Sequence, residues 1–75
     1  MKLEVRLFAY LRDGRDKKVY MDIEIGKTTV KNIIDTLGID EEQASILLIN
    51  GQSVELDATF VEGDYLSLFP PVGGG

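Results

Sequence analysis

The sequence predicts an α+β fold: a mixed sheet of four to five strands with one helix packed across one face. Three observations predict it. Two early segments alternate apolar and polar residues and are joined by a polar loop, the pattern of half-buried strands in a hairpin. A later segment changes to the helical period, with Val30, Ile33, Ile34 and Leu37 spaced i, i+3, i+4, i+7. Two short apolar runs, "ILLIN" and "YLSLF", then supply further strands.

In the first strand, residues 2–9, Leu3, Val5 and Leu7 share one face and Glu4, Arg6 and Phe8 the other. Residues 10–18 are a polar loop with Asp13-Gly14 as its turn signal. Residues 18–25 alternate again, with Val19, Met21, Ile23 and Ile25 inward. The helix is expected within residues 28–39, with Thr29 as N-cap and Gly38 as left-handed C-cap. Residues 40–44 are expected to add one more helical turn. The strand at 46–50 ends in Asn50-Gly51, a turn dipeptide. Residues 53–64 read as irregular, with Val54, Leu56 and Phe60 plugging the core. The last strand, 65–69, turns Leu66 and Leu68 inward and Tyr65, Ser67 and Phe69 outward. A helix with one apolar stripe must cover one sheet face. The order β-β-α-β-β with one such helix is that of the β-grasp, or ubiquitin-like, fold, in which the first and last strands are parallel central neighbours. The expected organisation is a β-grasp domain over residues 1–69 and a flexible glycine-rich tail over 70–75.

Composition narrows the chemistry. The chain has 75 residues and neither cysteine nor histidine. Thiolate chemistry and the commonest acid–base group and metal ligand are therefore missing. Thirteen carboxylates against eight cations give a net charge of −5, which speaks against nucleic acid as a partner. No apolar run approaches the roughly 20 residues of a membrane span, and the charged N-terminal strand does not read as a signal peptide, so a cytoplasmic location is expected. Asp40, Glu41 and Glu42 are adjacent carboxylates, which do not converge on one point of a helix.

Two features remain as candidate sites. Phe8 and Phe69 both point outward, and on neighbouring strands their rings form one apolar patch, the kind of surface that anchors a partner. The ending "FPPVGGG" is the second. Pro70 and Pro71 cannot donate to a sheet ladder and stop the strand. Val72 offers an apolar anchor, Gly73 and Gly74 fit a narrow channel, and Gly75 carries an unhindered carboxylate that adenylation by ATP would make electrophilic.

The opening "VRLFAYLRD", the middle "LLINGQ" and the ending "FPPVGGG" together resemble the MoaD/ThiS family of ubiquitin-like sulfur-carrier proteins, over the whole chain. That family typically shows Phe-Ala-x-x-Arg after its first strand and ends in Phe-Pro-Pro-Val-x-Gly-Gly. Here Phe8, Ala9 and Arg12 match the first motif, and Phe69, Pro70, Pro71, Val72, Gly74 and Gly75 the second, with Gly73 at the variable position. The double proline directs the resemblance to the molybdopterin branch. It implies a carrier rather than an enzyme, with no bound cofactor. A ubiquitin-activating-type adenylyltransferase would use ATP to activate Gly75, a sulfur donor would convert it to a thiocarboxylate, and the large subunit of molybdopterin synthase would receive the tail. Phe8, Phe69, Pro70, Pro71, Val72, Gly73 and Gly74 are the implied partner-binding residues and Gly75 the reacting one. Ser53 departs from the apolar contact that the resemblance leads one to expect after Asn50-Gly51. Alternative acceptors are a thiazole or other thiolation substrate, or protein lysines.

Overall fold

The structure, a computed structural model, describes residues 1–71. The strands are β1 (Lys2–Leu7), β2 (Lys18–Asp22), β3 (Ile46–Ile49), β4 (Gln52–Ser53) and β5 (Tyr65–Phe69), and one α-helix, α1 (Val30–Leu37), lies between β2 and β3. They form one mixed sheet in the order β2-β1-β5-β3-β4. The β1–β2, β3–β5 and β3–β4 pairs are antiparallel, and β1 runs parallel to β5 at the centre. This is the expected β-grasp arrangement.

Alternation decides the two faces. Leu3, Val5 and Leu7 of β1 and Leu66 and Leu68 of β5 are buried inward. Val30, Ile33 and Ile34 of α1 close over them, and Leu37 packs at the margin. Phe60 is fully buried beneath an otherwise irregular segment, with Val54 and Leu56 packed against the same core. Both ends of α1 carry the expected caps. The Thr29 hydroxyl accepts from the Asn32 amide, and the Asn32 side chain accepts from the Thr29 amide, which satisfies two orphan donors reciprocally. Gly38 ends the helix at φ 73°, a left-handed conformation that favours glycine.

Several local expectations need correction. β2 ends at Asp22, and Ile25 is about half exposed in the turn that follows, because the chain must reverse towards α1 there. The loop after β1 is less polar than its composition suggests. It opens with a 3-10 turn, Ala9–Arg12, that buries Leu11. Residues 40–44 make a single isolated turn, with the Ala44 amide donating to Asp40 and Glu41 carbonyls. The segment after Asn50-Gly51 begins with the short strand β4, since both residues adopt positive φ (52° and 81°) and fold it back on β3.

Candidate functional site

The outer face of the sheet carries the candidate site, and the strand register sets its layout. Glu4, Arg6 and Phe8 alternate along β1, and Tyr65, Ser67 and Phe69 along β5. Glu4 pairs with Tyr20 on one side and Tyr65 on the other, while Arg6 lies between Lys18 and Ser67. The next position along brings Phe8 beside Phe69, and β3 places Ile46 opposite Phe69. The Phe8 amide donates to the Leu68 carbonyl at 3.1 Å, which continues the parallel ladder one residue beyond β1. The two rings stack with centroids 4.2 Å apart and planes 9° from parallel. The expected juxtaposition of Phe8 and Phe69 is therefore a direct ring stack, with both side chains half-buried.

The patch is wider than the aromatic pair. Ile46 is partly exposed beside Phe69, and Leu48, opposite Ser67, extends the apolar surface towards Ser53 on β4. Sequence reasoning missed Ile46 and Leu48 because a wholly apolar strand has no alternation to mark its faces. The β3–β5 register reveals them, since Leu47 and Ile49 oppose the inward Leu68 and Leu66. Ser53 is exposed at the far rim, so the patch ends in a hydroxyl there. Ser67 faces outward as expected yet is buried, because the larger Arg6 and Leu48 flank it.

Along the same face, Arg6 is held from two sides. It forms a charge-assisted hydrogen bond to Glu4, and its guanidinium lies 4.0 Å from the centroid of the Tyr65 ring. The hydrogen bond from Arg6 holds the Glu4 carboxyl below its usual range, against the opposing effect of desolvation. The same bond raises Arg6. Arg12 sits further along, its guanidinium 6.0 Å from the Phe8 ring centroid.

The loop that carries Phe8 and Arg12 is tied to the helix end. Arg15 donates from Nη2 and Nε to the Leu37 carbonyl at 3.1 and 3.3 Å, and from Nη1 to the Leu11 carbonyl at 3.3 Å. The last turn of α1 has no basic residue of its own, so Arg15 supplies the cation that its exposed carbonyls favour. Tyr10 adds a second tie through its hydroxyl, which donates to Gln43 at 2.6 Å. Ala9, between Phe8 and the tied segment, adopts φ 53°. For alanine that conformation costs on the order of 1–2 kcal/mol, and surrounding contacts must hold it.

β5 ends at Phe69, whose carbonyl accepts from Ser45 at 3.0 Å. Pro70 is buried and Pro71 exposed. Val72, Gly73, Gly74 and Gly75, the remainder of the expected tail site, lie outside the described residues. Among the described residues no three metal-ligating side chains converge, and no helix is long and apolar enough to cross a membrane.

A lone helix packed on a mixed sheet whose first and last strands run parallel at its centre defines a ubiquitin-like β-grasp domain. The chain belongs to the ThiS family, whose sequence profile matches residues 5–75. Solved structures agree. The chain is similar to SAMP1 from Haloferax volcanii, at 31% identity over 100% of both chains with a TM-score of 0.75. It is also similar to a chain of the complex of subunits 1 and 2 of molybdopterin-converting factor from Helicobacter pylori, at 23% identity, 100% of both chains and a TM-score of 0.64. Urm1 from Trypanosoma brucei matches at 14% identity, 99% of this chain and 95% of its own, with a TM-score of 0.66. The last two likenesses establish the fold. No curated protein sequence matches the chain.

Proposed function

We propose that the chain is a cytoplasmic sulfur carrier that works through Gly75, with the pterin precursor of molybdopterin as the acceptor. In the first step a Gly75 carboxylate oxygen attacks the α-phosphorus of ATP on an adenylyltransferase, and pyrophosphate leaves. Hydrosulfide then attacks the carbonyl carbon of the acyl-adenylate. The C–O bond to AMP breaks, a proton is released, and a thiocarboxylate remains. On the large subunit of molybdopterin synthase the thiocarboxylate sulfur attacks a carbon of the precursor and displaces an oxygen leaving group from it. Water then cleaves the carbonyl–sulfur bond, which leaves a thiol on the product and restores the carboxylate. The carrier needs no catalytic side chain for these steps, because the partners supply them.

The observation that carries this reading is the Phe8–Phe69 stack, which puts an apolar docking surface at the last residue of β5, where "PPVGGG" follows. A second reading is conjugation, in which a lysine amine rather than hydrosulfide attacks the acyl-adenylate. The 31% identity to SAMP1 favours it, since that Haloferax volcanii protein is a small archaeal modifier protein. Intact-mass analysis separates the two. The chain is incubated with the adenylyltransferase of its own organism, ATP and sulfide. A gain of about 16 Da, sulfur for oxygen, supports the carrier. Adducts to protein lysines with loss of water support conjugation. An unchanged mass with no adducts overturns both.

A further inference from the structure

The chain is acidic, yet half of its cations line one cleft. A hollow of about 260 Å³ opens beside Phe8, and Arg6, Arg12, Lys17 and Lys18 form its walls together with Leu7. No carboxylate lines it, although the chain has thirteen. Arg6 is bonded to Glu4. Arg12, Lys17 and Lys18 have no carboxylate within ion-pair distance among the described residues, whereas Lys2, Lys27 and Lys31 each do. Asp13 and Asp16 lie on the same loop but outside the walls. The acidic Glu41, Glu42 and Glu55 border a separate hollow beside the inward Leu47 and the core-packed Val54. Phe8, one ring of the stack, borders the basic hollow directly.

We infer that the cleft walled by Arg6, Arg12, Lys17 and Lys18 is a docking site for a carboxylate-rich segment of a partner protein, and that it sets the orientation in which the Phe8–Phe69 patch is engaged. The chemistry favours a protein over a free phosphate. The Leu7 and Phe8 amides at the wall of the cleft are already committed to the Lys17 and Leu68 carbonyls, so they are not offered to an anion as in a phosphate nest. The cleft adjoins an aromatic anchor, and arginine beside exposed aromatics is the composition of protein interfaces. The assignment of the partner as an adenylyltransferase rests on the function proposed above; the acidic character of its contact does not.

Two measurements test this, both on the full chain and on the K17E/K18E variant, in which the changed side chains are exposed. In the first, an acetylated hexaglutamate peptide is titrated into isotope-labelled protein. Amide shifts are expected at residues 6–12 and 17–18 in the native chain and not in the variant. Equal shifts with inorganic phosphate at matched charge, or shifts spread elsewhere, overturn the inference. In the second, association with the adenylyltransferase is timed. The native rate is expected to fall steeply as salt rises from about 0.02 to about 0.2 M, and the variant to associate on the order of tenfold more slowly at low salt. Equal association rates overturn the inference even where adenylation proceeds. If the native chain is never adenylated, the function proposed above fails, and the peptide titration alone decides the cleft.

Discussion

Replacing Phe8 and Phe69 with alanine, singly and together, tests the site at its centre. Full burial of a phenylalanine contributes about 1.5–3 kcal/mol, so a half-buried ring contributes roughly half of that. A stacked pair adds about 0.5–1.5 kcal/mol beyond the buried area, and the geometry, 4.2 Å and 9°, is that of a stack. Each single substitution is therefore expected to cost about 2 kcal/mol. In a domain of this size that lowers the melting temperature by roughly 8–16 °C. The double variant loses the stack once rather than twice, so its cost falls short of the sum by about 0.5–1.5 kcal/mol. Urea unfolding followed by far-ultraviolet circular dichroism measures all four corners of the cycle. A coupling within about 0.3 kcal/mol of zero would mean that the rings act independently. The structural basis assigned to the docking patch would then be wrong.

Three other perturbations probe different levels. Phe60→Ala removes a fully buried ring and is expected to cost about 3–5 kcal/mol, leaving the small domain marginal or unfolded by denaturant titration. Thr29→Ala breaks the reciprocal cap of α1 and should cost about 1 kcal/mol in the same assay; a neutral result would dismiss the cap. Glu4 should titrate below the ordinary glutamate range by carboxyl-carbon NMR, and Arg6→Gln should return it to that range. Because the folded pKa is the lower one, any stability Glu4 contributes is present above the unfolded pKa and is lost as pH falls through the folded value. A midpoint unaffected by Arg6→Gln would show that another group holds the carboxylate.

Legibility followed periodicity. β1, α1 and β5 have a side-chain period that matches their burial, so Leu3, Val5, Ile33, Ile34 and Leu68 could be assigned inward from spacing alone. Thr29, Gly38 and Asn50-Gly51 could be read because each residue type satisfies a specific backbone demand. β3 could not be divided into faces, as "ILLI" has no period, and its contribution to the patch emerged through pairing with β5. Leu11 was missed for the opposite reason: one apolar residue in a polar loop gives no pattern, yet a single 3-10 turn is enough to bury it. The basic cleft was hidden by the net charge. Arg6, Arg12 and Lys17–Lys18 are spread over the strand, the turn and the loop, and only the hairpin brings them round one hollow.

The parallel pairing of β1 with β5 explains why the site is where it is. In an antiparallel pair, Phe8 at the end of one strand would face the start of the other, far from its last residue. Parallel strands bring both ends to the same edge of the sheet, and the Leu7–Leu68 register then makes Phe8 the neighbour of Phe69. The two rings, 61 positions apart in sequence, thus stack with centroids 4.2 Å apart without either residue joining the core. The same edge receives the β1–β2 loop, so Arg12, Lys17 and Lys18 arrive beside the stack. Prolines follow Phe69 at once, and their missing amide donors fit the end of β5 at that residue. A fold with these strands antiparallel could bury the same core, but it would separate the aromatic patch from the last residue of the sheet.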